Sequence, residues 1–347
     1  MLAAEIKTAP AALSFPDSSL AWKQIVEPAE PFLKAVTQRL IEQVNEFEPS
    51  IGACARYALA AQGKQLRPLL VVLSAQAAGK LEDAHITVAV IIEMVHLATL
   101  VHDDVIDDGE IRRGRPTLAA NWGNEISVLL GDCLFAQALK LASSFPTPEI
   151  CRSVAAATHT VCSGEILQTQ RRRDFRISRP DYFKLVAMKT AELFALSCDL
   201  GALLAGARAG QREVLRKFGV SLGTAYQIYD DCVDLFGSER DAGKSLGTDL
   251  AKGKLTLPVL LALERADEKE NNWLQHCIQN WKPELLSDLL ERLENCDALN
   301  ESRRIIRGYL TEARQGLSSL PVSGGRLGLA GLTDYLDKQA DLLNFKF

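Results

Sequence analysis

From Pro28 onward, apolar residues return at three- and four-residue steps, the spacing of one face of an α-helix. The stretches FLKAVTQRLIEQV (32–44), TVAVIIEMVHLATLVHDDVID (87–107), ISVLLGDCLFAQALKLA (126–142), FKLVAMKTAELFALSCDLGALLAGA (183–207) and VLRKFGVSLGTAYQIYDDCVDLF (214–236) all carry it. Several are apolar nearly all round, which predicts helices buried inside a large bundle. No two alternating runs are joined by a hairpin signal such as Asn-Gly, so no sheet is expected. The breaks are short: FPTP at 145–148, RISRPD at 176–181, GSERDAGKSLGTD at 237–249, VSGG at 322–325. A length of 347 residues alone favours two domains, but no break resembles a domain linker. The pattern predicts one all-α domain, a single large helical bundle over residues 21–347, with a more polar C-terminal third from about 262. Residues 1–20 read as a loose N-terminal arm.

Composition narrows the function classes. Lys+Arg is 39 and Asp+Glu 44, a net charge of −5, so the overall field is not built to hold nucleic acid. The 8 cysteines are dispersed without a C-x-x-C pair, which points to buried thiols in a reducing, cytoplasmic setting. The opening MLAAEIKTAPAALSF has an early acid and prolines where a secretion signal has a basic end and an apolar run. No uninterrupted apolar segment approaches ~18 residues, so no membrane span is expected.

The charges that remain are strongly clustered. LVHDDVIDDGEIRRGRPT (100–117) places Asp103, Asp104, Asp107 and Asp108 just before Arg112, Arg113 and Arg115. Asp103 and Asp107 are four apart and share a helix face, an arrangement that destabilises a bare helix. A charge run is commonly a solvated helix end. This one follows the apolar IIEMVHLATLV, whose flanks should be buried, so its carboxylates need a cation. YQIYDDCVDLF repeats the arrangement with Asp230, Asp231 and Asp234. Paired carboxylate patches without His or Cys suit a hard cation such as Mg²⁺, which completes its shell with water and phosphate oxygens. Arg112 and Arg113 can then fork onto free phosphate oxygens. Lys64, Arg67, Lys244 and Lys254 are scattered basic residues of the kind usually solvated, whereas Lys189 lies within an apolar helix. GSERDAGKS is not a phosphate-binding P-loop: five residues separate Gly237 from Gly243 instead of four, and a helix precedes it where a strand is required.

Together with R-R-G-R-P-T, the KTA-L-F segment and GTDL-x-x-GK-x-TLP, these patches make the chain resemble the trans-type isoprenyl (polyprenyl) diphosphate synthases over about residues 30–260. The resemblance implies an isoprenoid-synthase bundle around a central apolar cavity, usually a homodimer. It implies head-to-tail condensation of isopentenyl diphosphate with an allylic diphosphate, using two to three Mg²⁺ ions. Asp103, Asp104 and Asp107 would bind metal on one side, and Asp230 and Asp234 on the other. Arg112, Lys189, Thr190, Gln227 and Lys244 match contacts to the allylic diphosphate. Lys64, Arg67, His96 and Arg113 match the isopentenyl diphosphate pocket. His96 lies seven residues before Asp103, on the same helix face. The family's G-G-K-R-x-R-P reads Gln62-Gly63-Lys64-Gln65-Leu66-Arg67-Pro68 here, keeping the lysine and the last arginine. A bulky aromatic four or five residues before the first motif ends elongation early in the family. Those positions are the small Thr99 and Ala98, which implies a medium- to long-chain product with Phe135 in the cavity floor. An apolar product of that kind implies transient membrane contact on release. A short-chain synthase, a terpene cyclase and a regulatory subunit of a heteromeric synthase are the alternatives. Both D-D-x-x-D patches are present, which argues against the last two.

Overall fold

The computed structural model describes residues 20–60, 63–238 and 245–344; of the expected arm over 1–20, residues 1–19 lie outside them and Leu20 opens the first helix. Helices α1 (Leu20–Val26), α2 (Glu30–Asn45) and α3 (Pro49–Leu59) lead into α4 (Leu66–Ala78) and the central α5 (Asp83–Ile106). A hairpin of β1 (Ile111–Arg112) and β2 (Arg115–Pro116), then α6 (Leu118–Trp122), connects to α7 (Asn124–Ser143), α8 (Glu149–Gln170) and α9 (Arg179–Val186). One π-helical turn, Ala187–Ala191, joins α9 to α10 (Glu192–Leu204), and α11 (Ala209–Phe236) follows. The last third comprises α12 (Thr248–Ala251), α13 (Leu257–Arg265), α14 (Glu268–Gln279), α15 (Leu286–Asn295), α16 (Ala298–Leu317) and α17 (Gly324–Leu342). The predicted all-α bundle is what forms.

The core lies where the sequence is apolar all round. Val88 to Ile92 of α5 are fully buried. Around it, α4 packs on α10, α10 on α11, α5 on α7, and α11 on α16. The polar helices of the last third bury one face only; α15, for example, turns Leu289, Leu290 and Leu293 inward. His85 ties the start of α5 to α10. Its Nδ1 accepts from the Glu82 N–H at 2.9 Å, which leaves Nε2–H to donate to the Gly201 carbonyl at 3.1 Å. Gly201 also sets how closely α10 approaches α4, because a Cβ there would stand 2.5 Å from the Val71 carbonyl oxygen. Gly201→Ala is therefore expected to cost about 1–3 kcal/mol through overpacking. A lower urea midpoint at unchanged m would show it.

One expectation needs correction. The hairpin was not expected, because its turn is Arg113-Gly114 and not Asn-Gly. Both residues nonetheless take left-handed backbone, φ 52° and 71°, the geometry of a two-residue primed turn. In addition, α5 and α7 are each long and apolar enough, by length and composition, to cross a membrane. α5 runs through the core instead. α7 leaves Val128, Leu129 and Leu139 exposed.

Candidate active site

The C-terminal ends of α5 and α11 carry the two acidic patches to the rim of one cavity of about 1000 Å³. Lys64, Arg67, His96, Thr99, Asp103, Asp104, Asp107, Arg112, Arg113, Phe135, Lys189, Thr190, Gln227 and Asp230 all line it. Segments more than 160 residues apart in sequence thus meet where the motifs predicted a site. Lys244 lies outside the described residues.

The first acidic patch is held by basic side chains. Asp104 is buried and takes both Arg112 Nε (2.8 and 3.0 Å to its two oxygens) and Nη2 (2.8 Å). Its carboxyl is nonetheless raised, because burial outweighs the guanidinium. Asp107 accepts from Arg172 Nη2 at 2.5 Å, Lys254 Nζ at 2.8 Å and Lys252 Nζ at 3.2 Å. Burial would raise it, but the two ammoniums dominate and hold it at about 2. Lys189 sits on the π-helical turn, a device that recurs at functional sites because the extra residue re-aims a side chain. Its ammonium pairs with Glu165, lies 3.4 Å from Asp103 Oδ2 and donates to Gln168 Oε1 at 2.9 Å. Burial pulls its pKa down; Asp103 and Glu165 overcome that and raise it.

The second patch divides its labour. Asp230 faces the cavity. Asp231 is buried and accepts from Tyr182 Oη at 2.6 Å and Gln227 Nε2 at 2.8 Å. Gln227 Oε1 in turn accepts from Thr190 Oγ1 at 2.6 Å, which ties the π-helical turn to α11. Burial, with Asp249 nearby, pushes the Asp231 carboxyl well up. Asp234 was expected to hold metal with Asp230, four residues away on the same face. It does not line the cavity. The Asp249 N–H donates to Asp234 Oδ2 at 3.1 Å, and the residue is 2% exposed.

The other end of the cavity is built from cations on aromatic rings. Lys64 Nζ lies 5.2 Å from the Trp22 ring centroid, and the Arg67 guanidinium 5.3 Å from that of Phe194. Arg67 Nε is buried and makes no hydrogen bond among the described residues. Glu93 lies near Arg67 and Arg113, and burial raises its carboxyl. Burial, with the arginines 67, 113 and 112, pushes the His96 imidazole well below its ordinary value. Gly63 leaves room for the Arg113 guanidinium, since a Cβ there would stand 2.6 Å from Nη2.

Below the acids, Thr99 and Phe135 line the cavity as expected. Ala98 does not; it is fully buried in helix packing. One residue is about 100° around the helix, enough to move a side chain from the cavity face into the core. Sequence reasoning also missed Glu165, Gln168, Arg172, Lys252 and Tyr182. Among the described residues no three acid, His or Cys side chains are already gathered as a metal cage.

Comparison with known proteins agrees with this geometry. Residues 48–293 match the model of the polyprenyl synthetase family. The chain is 37% identical over 309 residues to heptaprenyl diphosphate synthase component 2 of Bacillus subtilis (strain 168), covering 88% of this chain and 87% of that protein. It is 33% identical to the octaprenyl diphosphate synthase of Escherichia coli (strain K12), covering 86% and 93%. A polyprenyl synthase from Caulobacter crescentus CB15, crystallised with calcium and isoprenyl diphosphate, superposes with a TM-score of 0.86 at 33% identity, over 91% of this chain and 97% of that one. With more than half its length matched and its acidic patches facing one cavity, the chain belongs to the polyprenyl synthetase family.

Proposed function

We propose that the protein condenses isopentenyl diphosphate with an allylic diphosphate, head to tail, to give a medium- to long-chain all-trans polyprenyl diphosphate. One observation carries the reading: a single cavity is lined by Asp103, Asp104, Asp107 and Asp230, by Lys64 and Arg67 set against aromatic rings, and by Thr99 one turn before the first acids. Asp103, Asp104, Asp107 and Asp230 present only carboxylate oxygens, a donor set that fits a hard divalent cation such as Mg²⁺. When bound, the metal neutralises charge developing on the departing diphosphate. Lys189 and Arg112 stand beside these acids and would take remaining allylic diphosphate oxygens, with Thr190 and Gln227 fixing the turn that aims Lys189. Lys64, Arg67, Arg113 and His96 would hold the diphosphate of the second substrate. The allylic C–O bond breaks with its electron pair on the diphosphate. The isopentenyl double bond then attacks the allylic carbon, and the departing diphosphate accepts the proton lost. The apolar walls keep water from the cation.

The subunit arrangement we favour is a homodimer through α7, whose Val128 and Leu129 are 41% and 59% exposed. A relative named as one component of a heptaprenyl synthase motivates a second reading, in which a different chain covers that face. The test uses purified protein with Mg²⁺, isopentenyl diphosphate and farnesyl diphosphate, and separates the dephosphorylated products by chromatography. A ladder passing geranylgeranyl is the expected result. A stop at or before it would replace the long-chain reading with the short-chain one. Turnover only after adding a second protein would favour the heteromeric reading.

A further inference from the structure

Two hydrogen bonds clamp the chain around Lys189 onto α11. Tyr182 Oη, on α9, donates to Asp231 Oδ2 at 2.6 Å, and Thr190 Oγ1 donates to Gln227 Oε1 at 2.6 Å. Gln227 Nε2 donates to Asp231 Oδ1 at 2.8 Å and joins the two clamps along α11. Since an Asp231 oxygen takes the amide N–H, Gln227 turns its carbonyl oxygen toward the Thr190 hydroxyl. Tyr182, Thr190 and Asp231 are all buried. Tyr182 does not line the cavity, so its hydroxyl bears on the site through this ring of bonds. The π-helical turn Ala187–Ala191 holds both Lys189 and Thr190. Such a turn contains one residue more than the α-turn it replaces, and annealing that residue out would swing Lys189 by about 100° around the helix. Two neighbouring helices also close on the turn at glycines. A Cβ at Gly164 of α8 would stand 2.9 Å from Met188 Cβ, and one at Gly223 of α11 would stand 2.7 Å from Ala191 Cα. The glycines let α8 and α11 grip the turn, and the hydrogen-bonded ring fixes its register along α11.

We infer that Tyr182 is a positioning residue for the allylic diphosphate: through Asp231, Gln227 and Thr190, its hydroxyl holds the π-helical turn in the register that aims the Lys189 ammonium at the first acidic patch. The inference rests on the assignment of Lys189 to the allylic diphosphate proposed above. It deepens that assignment by naming what fixes the lysine's backbone. Lys64, Arg67 and Arg113 stand on other elements, so loss of the hydroxyl acts on one substrate and not on the other.

The experiment uses the full chain with Mg²⁺ and measures equilibrium binding of farnesyl diphosphate with isopentenyl diphosphate omitted, so that slow variants can be compared. The KM for isopentenyl diphosphate and thermal melting are measured alongside. Tyr182→Phe keeps the ring, which packs edge-on against Phe183 at 5.3 Å between centroids, and removes only the hydroxyl. It is expected to raise the Kd for farnesyl diphosphate about tenfold, the scale of one net hydrogen bond, and to leave the isopentenyl diphosphate KM within twofold. Gly164→Ala, which presses on Met188 from α8, should weaken the same binding, and it stands in if Tyr182→Phe does not fold. In a Lys189→Ala background, Tyr182→Phe should add nothing further. A folded Tyr182→Phe that weakens both substrates alike, or neither, overturns the inference, as does full additivity with Lys189→Ala. Lys189→Ala with unchanged farnesyl diphosphate binding overturns the site assignment itself and the inference with it. Weakened binding in Lys189→Ala but not in Tyr182→Phe or Gly164→Ala overturns the inference alone.

Discussion

Asp230→Ala is expected to lower the condensation rate by about 10³-fold, the scale of losing one main source of electrostatic stabilisation for a departing anion, while the helical fold persists. Neighbouring acids cannot take its place. Asp231 is committed to Tyr182 and Gln227, and Asp234 to the Asp249 N–H. The three acids of this patch therefore separate by phenotype. Asp231→Ala would strand the buried Tyr182 hydroxyl and the Gln227 amide, costing about 1–3 kcal/mol of stability as well as activity. Turnover and melting temperature, measured on both variants, make the comparison. Asp230→Ala retaining more than a tenth of the wild-type rate would remove α11 from the proposed metal site.

Product length should respond as sharply as rate. Thr99 lies one helical turn below Asp103, ~6 Å along α5, and lines the cavity. Thr99→Phe is expected to place a ring across the channel and collapse the product ladder to geranylgeranyl length or shorter, with the first condensations still proceeding. Ala98→Phe is the informative control. Ala98 is itself fully buried in core packing, so a ring there should destabilise by about 1–3 kcal/mol instead of gating the channel. Chromatography of the dephosphorylated products, with melting curves for both variants, distinguishes them. A Thr99→Phe enzyme whose longest product is unchanged would place the floor elsewhere, with Phe135 on α7 the next residue to vary.

What could be read before the structure depended on the distance over which each signal acts. α5 and α11 were legible because helix period alone puts Asp103 with Asp107 and brings Asp230 to the same end as the apolar core. Ala98 and Thr99 read alike as small residues near the first motif, and only the rotation of α5 against its neighbours separates them. Asp234 shares a helix face with Asp230, but it is buried and accepts from the Asp249 N–H, a contact that helix period does not foretell. Partners such as Lys252, which meets Asp107 across 145 residues, carry no local signature at all. Arg113 takes a left-handed turn conformation that its residue type does not advertise. In each case, packing between distant segments settled what periodicity left open.

The ion pairs around the first acidic patch bear on how the site fills. A dication approaching Asp107 must compete with Arg172 on one carboxylate oxygen and with Lys252 and Lys254 on the other, and displacing the lysines leaves two ammoniums without their counter-charge. A diphosphate that arrives with the metal takes up those ammoniums. Under the proposed mechanism the two therefore load cooperatively, each strengthening the binding of the other by the same factor. Occupancy then follows the concentration of the metal–diphosphate complex more closely than that of free magnesium. For the same reason, a chelator should empty the site without leaving a cluster of mutually repelling acids, because the protein's own lysines and arginines already neutralise them.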